Sequence, residues 1–517
     1  MTFESVRLRV GLEGREFSLS DHPVLRAAVA GKSRLVESRE QAYDTEDGRL
    51  RRKGVLLVAT RHGAKWTGCA TWSREGSPVS REWECGSGEA PEWSDLKKQL
   101  PEPLLDGVRG RNLECRFALD LREERWRLEY PDGARITVRQ FQGGLSGGET
   151  EEGFHEVLLE RSGGDPIRFL QTVLAVARHC GAFLEPLSPA ERVWLRLDPG
   201  VLQPGPMVPG EASAGERIGL VLCRTGGAHL EWLRGQLPVL LYGAGDGRRQ
   251  AVLNGLEAVR GLQRLVAWFG EWLPETMRRD MENELLWLSG EFSPACAGAG
   301  LARERLARMR VRFPDQPRLA ELSARAEQEL ESALDQAVAV VRSLRFTRLY
   351  IGFAIWLASE EGLKSVAVEV DPALRERLAM PAEGMARELL RRLHKPLSEM
   401  GGKGGEESLD LASVAGIGAQ AAALAQGLAL FAGWVAERRL LEYRQRVDAL
   451  VVACEGWLEM DAQGRLGARL LSEWPEEAVV PLWAGWSGAL LEVAGEGFRR
   501  ALEAFQRAAS LTGDFGK

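Results

Sequence analysis

The sequence predicts an α+β protein in which an antiparallel sheet or barrel over 1–198 is followed by an all-α helical bundle over 216–517. Three observations predict this. Short alternating apolar runs fill the chain up to about residue 165, a proline and glycine cluster runs from Pro199 to Gly215, and a helical period dominates after it. A chain of 517 residues is too long for one ordinary core, so two or more domains are expected.

The strand signals come first. Val6–Val10, Val55–Thr60, Arg116–Leu121, Arg135–Phe141 and Glu156–Glu160 alternate in character, which gives each strand one inward and one outward face. Helical stretches interrupt them at Val24–Ala30 and Ile167–His179. The cluster at 199–215, with Pro204, Pro206 and Pro209, breaks all periodicity and is expected to be a linker. Beyond it, helices are predicted over Ala251–Leu273, Met281–Phe292, Arg318–Leu357, Ala382–Leu393, Leu411–Ala436, Arg438–Trp457 and Val480–Ala509.

Composition bounds the function classes. With 44% apolar and 27% charged residues the chain is ordinary for a globular protein. A net charge of −7 does not announce a polyanion partner, so no nucleic acid is expected and any anion site must be local. Seven scattered cysteines without a CxxC pair argue against a disulfide framework and a zinc site, and point to a reducing, cytoplasmic compartment. The N-terminus has no apolar run behind Arg7 and Arg9 and is not expected to be a secretory signal. Leu411–Ala436 has no charge over 26 residues, long enough to span a bilayer, but its alanine, glycine and glutamine content predicts a helix buried in a bundle.

Generic motifs are missing. The glycine runs Gly143–Gly148 and Gly401–Gly405 lack the phosphate-loop spacing and are expected to be flexible loops. No HExxH, GxSxG or kinase signature occurs, and the six histidines form no constellation. Most of the sixteen tryptophans are expected in the core, with a partner surface around Trp483–Trp486 as the alternative.

More specific patterns lie in Tyr43-Asp44-Thr45 followed by Leu50, Gly54, Val55 and Leu57, then Lys65-Trp66, Arg81-Glu82-Trp83-Glu84, Phe117 with Arg122, Asp132-Gly133, and Glu156-Val157-Leu158-Leu159-Glu160. In this order the first 180 or so residues resemble the CYTH domain, the triphosphate tunnel metalloenzyme family. The resemblance implies a closed antiparallel β-barrel whose lumen holds a triphosphate with basic side chains and Mg or Mn with acidic ones. Its hallmark first strand, ExExK, reads here Arg7-Leu8-Arg9-Val10-Gly11, which reverses the local charge. Val58 and Thr60 stand where the family carries arginines, Thr71 where it carries a lysine, and the acidic end strand keeps Glu156 and Glu160 around Leu158. Glu156 and Glu160 are thus the remaining metal candidates, while Arg7, Arg9, Arg81 and Arg122 are anion-binding candidates. With no ligand, Arg7 and Arg9 are expected to pair with Glu156, Glu160, Glu82 or Glu84.

From about residue 215 the chain resembles CHAD, a helical domain that follows CYTH in many bacterial proteins and is associated with polyphosphate. Leu262, Phe269, Leu273-Pro274, Leu285, Trp287-Leu288, Ser343, Arg345, Arg348-Leu349 and Trp356-Leu357 carry this resemblance. Of the family's basic first helix only Arg260 survives, and its second basic helix corresponds to the uncharged Leu411–Ala436. Arg260, Arg345, Arg348, Arg391, Arg392 and Lys395 complete the anion-binding candidates.

These departures predict a non-catalytic or weakly active CYTH-CHAD relative that binds phosphate-rich anions or acts as a scaffold or regulator, with a protein partner and no membrane. The alternatives are an inorganic triphosphatase that hydrolyses tripolyphosphate with Mg or Mn, and a granule-associated module that binds polyphosphate.

Overall fold

The computed structural model describes residues 4–11, 23–62, 65–74, 77–85, 92–108, 111–147, 150–197, 204–207, 215–270, 275–358, 376, 378–399, 410–431 and 438–509. One antiparallel sheet is built from β1 (Ser5–Arg9), β2 (Arg34–Thr45), β3 (Leu56–His62), β4 (Lys65–Arg74), β5 (Ser77–Glu84), β6 (Leu113–Glu129), β7 (Arg135–Gly147), β8 (Thr150–Gly163) and β9 (Phe183–Leu184). Its strand order is β5-β4-β3-β2-β6-β7-β8-β1-β9, an open ladder among the described residues rather than the closed barrel expected from the resemblance.

Among the described residues, six helices are interleaved with the strands or follow them. They are α1 (Pro23–Ala28), α2 (Arg49–Arg52), α3 (Trp93–Gln99), α4 (Glu102–Leu105), α5 (Pro166–Cys180) and α6 (Pro189–Leu197). Buried Asp44 shows why the Tyr43-Asp44-Thr45 pattern is needed. Its carboxylate accepts from the backbone N–H groups of Leu50 and Arg51 at 2.9 and 3.1 Å, satisfying the open first turn of α2.

After residue 215 come α7 (Ile218–Tyr242), α8 (Gly245–Phe269), α9 (Glu275–Ala299), a π-helical turn at Gly300–Arg305, α10 (Leu306–Arg312), α11 (Arg318–Val341), α12 (Leu344–Leu357), α13 (Ala382–Glu399), α14 (Leu411–Leu430), α15 (Arg438–Leu471) and α16 (Val479–Ala509). The single helix expected over Arg318–Leu357 is two. It breaks at Arg342-Ser343, where the Ser343 hydroxyl accepts from the Phe346 N–H and starts α12. Helix α7 was not legible from periodicity because it is buried on nearly all sides and carries Gly219, Gly226 and Gly227 on its packed surface.

Packing ties the two parts together. Val6, Leu8, Val138, Val157 and Leu159 of the sheet bury against Phe169, Leu170 and Val173 of α5. The same cluster continues through α7, α8, α9 and α12 to Trp268 and Trp356. By length and composition α14 could cross a membrane, the one such helix among the described residues. In the structure its Val414, Ile417, Ala421 and Leu424 pack against Tyr443, Val447 and Leu450 of α15 and Phe498 and Phe505 of α16. Residues 432–436 of the expected span lie outside the described residues, as does the glycine run at 401–405.

The other glycine run is not a loop. Gly143 to Gly147 continue β7. A side chain on Gly143 would strike Asp120 O at 2.4 Å and the Phe154 ring at 2.9 Å, so the glycine answers a close approach of neighbouring strands.

Candidate functional site

Side chains two apart share a face of a strand, so the pairing registers assign every sheet residue to one side. Arg9 lies opposite Glu156 and Arg7 opposite Leu158. Glu156 lies opposite Phe141 and Leu158 opposite Arg139. Arg139 lies opposite Arg125 and Phe141 opposite Glu123, and Leu119 opposite Glu40. Continuing outward, Glu40 and Ala42 meet Thr60 and Val58, and Leu56 and Val58 meet Thr71 and Cys69. Arg7, Arg9, Val58, Thr60, Thr71, Glu156 and Leu158, which the resemblance would place in a lumen, therefore share one face, here termed the arginine face. Arg122 and Arg81 fall on the other: Arg122 pairs with Gln142 and Arg81 with Ala70. Arg122 lines an exposed groove of about 660 Å³ with Glu37, Arg39, Arg61 and Asp120, where Arg39 and Asp120 pair at 3.9 Å.

At the centre of the arginine face Glu156 is fully buried and ion-paired with two guanidiniums, Arg7 at 3.1 Å and Arg192 of α6. Beside it, buried Glu185 pairs with Arg192 at 3.3 Å and Arg9 at 3.8 Å, and accepts from the Leu187 N–H and the Tyr242 hydroxyl. Burial raises the pKa of Glu185 despite Arg192 and Tyr242, and raises that of the Tyr242 hydroxyl as well.

A second knot surrounds Glu123, which takes hydrogen bonds from Arg139 at 2.7 and 3.1 Å and from Arg125 at 2.9 Å. Burial pushes Glu123 up, but these arginines outweigh it and hold its pKa below the usual value. Arg139 also reaches Glu160 at 3.8 Å and lies over the Phe141 ring. Glu40 lies close enough to feel Arg7 and Arg139, yet burial dominates and raises its pKa. Within this cluster Arg7, Arg9, Arg125, Arg139 and Arg192 balance Glu40, Glu123, Glu156, Glu160 and Glu185 one for one.

Arg192 and Glu185 are the residues that sequence reasoning missed. Glu185 follows β9, where its N–H donates to Arg7 O at 3.0 Å and continues the register onto the arginine face. Helix α6 covers the next stretch. Its Ala190 and Val193 pack onto Ala42, Phe117, Leu119, Leu121, Phe141 and Phe154, all on the arginine face. The signal for this helix was in the sequence. Ser188-Pro189-Ala190-Glu191 is a capping box with proline at the first helical position, and Ser188 N donates to Glu191 at 2.7 Å while Glu191 N donates to Ser188 Oγ at 3.3 Å.

The residues present do not fit Mg or Mn. Glu156 has its charge matched by two arginines, Glu160 stands next to Arg139, and no group of three or more candidate ligands forms among the described residues.

The helical candidates are dispersed. Arg260 pairs with Glu257 at 2.5 Å, Arg345 with Glu284 at 2.9 Å while lying over Trp287, Arg391 with Glu388 at 2.8 Å, and Lys395 with Glu399 at 3.9 Å. Arg392 donates to Trp268 O at 2.8 Å, and Arg348 is exposed. Trp483 is buried and Trp486 stands half-buried against Phe313.

No family model matches the chain, and no curated protein does. Among solved structures it is similar to the CHAD domain from the plant Ricinus communis, with TM-score 0.47 and 18% identity over 59% of this chain and 96% of that one. It is similar to PptA from Streptomyces chartreusis, with TM-score 0.38 and 18% identity over 57% of this chain and 100% of that one. A third likeness, HpAC1 from Hippeastrum, described as having a dominant triphosphatase activity, has TM-score 0.24 and 15% identity over 38% of this chain and 96% of that one. The architecture is that of an α+β protein, and its likenesses include a CHAD domain and a triphosphatase.

Proposed function

We propose that the protein is a non-catalytic relative of the CYTH-CHAD class that serves as a scaffold or regulator rather than as a phosphohydrolase. The observation that supports this most is the position of Glu156. A carboxylate that binds a divalent metal must face it with spare lone pairs, whereas this one is fully buried between Arg7 and Arg192 under α6. The pairing of each cation in the cluster with a glutamate also removes the net positive field a polyphosphate would need.

The test is phosphate release from tripolyphosphate with Mg or Mn. The expected result is no metal-dependent turnover by the full chain. Turnover that requires metal and disappears in Glu156→Gln would overturn the reading. Binding of phosphate-rich anions is the second reading, favoured by exposed Arg348 beside Arg345 on α12. It requires polyphosphate affinity that falls steeply with salt and is lost in the double variant Arg345→Ala, Arg348→Ala.

A further inference from the structure

Arg305 ends the π-helical turn and is 3% exposed, yet no carboxylate pairs with it among the described residues. Its Nη1 donates to Met460 O at 3.0 Å and its guanidinium lies 4.5 Å from the centre of the Trp483 ring, but Nε and Nη2 have no hydrogen-bond partner. Burial pulls its pKa down to about 10, so it stays charged at neutral pH. An unmatched buried cation is costly, and π-helical turns often mark functional positions.

Trp483, over which Arg305 lies, is also a wall of a cleft of about 450 Å³ between α15 and α16, a size in the range of small-molecule sites. Its walls include Gly464, Ala468, Leu471, Trp483, Ser487 and Leu491, mostly carbon. A methyl group on Gly464, another wall residue, would sit 3.8 Å from Arg305 Nη1, so the cation lies close behind this wall. The rim charges cancel, because Arg465 and Asp461 pair at 2.6 Å. Two further polar atoms belong to the wall residues and lack partners, Trp483 Nε1 and Ser487 Oγ.

We propose that this cleft binds a small amphiphile, a singly charged oxyanion carried on an apolar body. The apolar walls take the body, and the uncompensated positive field of Arg305 selects the charge of the head. None of the unpartnered atoms reaches solvent in the open cleft, so recognition acts through that field. This site shares no residue with the arginine face.

The full chain should be titrated by calorimetry with decanoate, decan-1-ol and decyltrimethylammonium. Decanoate is expected to bind one site at least tenfold more tightly than the alcohol, with the cation weakest. Ala468→Trp, which fills the exposed wall, should abolish binding. Arg305→Met should bring decanoate and the alcohol to equal affinity, and Arg305→Lys, a milder change that keeps the charge, should keep decanoate ahead of the alcohol. The proposal fails if decanoate does not bind, if it binds no better than the alcohol, or if Ala468→Trp leaves its affinity unchanged.

Discussion

The arginine face of the sheet and the outer helices of the bundle use the same residue types to opposite effect. Over the sheet, Arg192 of α6 and Glu156 of β8 are buried and each meets more than one partner, so neither charge can be removed without stranding another. On the helices, Arg391 is exposed and answers a glutamate one turn away. Buried networks are strongly coupled because desolvation is already spent. Exposed pairs compete with water and salt and contribute at most about 1 kcal/mol.

That contrast breaks first at Arg192. Arg192→Met should cost roughly 3–5 kcal/mol in urea unfolding, because Glu156 and Glu185 lose their shared cation, and Glu156→Gln in the same chain should recover part of the loss. An additive double variant would mean the two residues do not act as one unit.

The next effect lies between helices. His229 of α7 is buried against Gly261 of α8, bonds Gln426 of α14 at 2.8 Å, and is pushed down to about 3 by burial and then by Arg264. Its folded pKa lies below its unfolded value of about 6.5, so the stability from a neutral ring is intact above that pH and is lost as pH falls toward 3. Between pH 7 and pH 5 the loss should be about 2 kcal/mol, and His229→Gln should flatten that part of the stability profile. The smallest effect is expected at Arg345→Ala, below about 1 kcal/mol and weaker still in high salt, since the pair with Glu284 is half-exposed.

Strand alternation was legible because one buried face imposes a period of two. Val6, Leu8, Val157 and Leu159 bury while Arg7, Arg9, Glu156 and Leu158 share the opposite side. The pairing of Arg7 with Glu156 follows from that parity. Its completion by Arg192 and Glu185 does not, since both come from outside the strands and are brought in by a nine-residue helix whose capping box was the sole local sign. The open ladder was equally hidden, because the same alternation suits a closed or an open sheet. In the bundle, α7 escaped notice for lack of a polar stripe, while α16 showed a clear helical period.

The short segment from Phe183 to Leu197 touches the sheet, α7 and α12. Leu184 N bonds the Thr347 hydroxyl of α12 at 3.1 Å, Glu185 meets Tyr242 of α7, and Arg192 meets Glu156 of β8. A strap of this kind should make melting cooperative, so calorimetry of the intact protein should trace one endotherm. Proteolysis between residues 199 and 215 should yield fragments that co-elute, held together like the leaves of a hinge whose pin survives the cut.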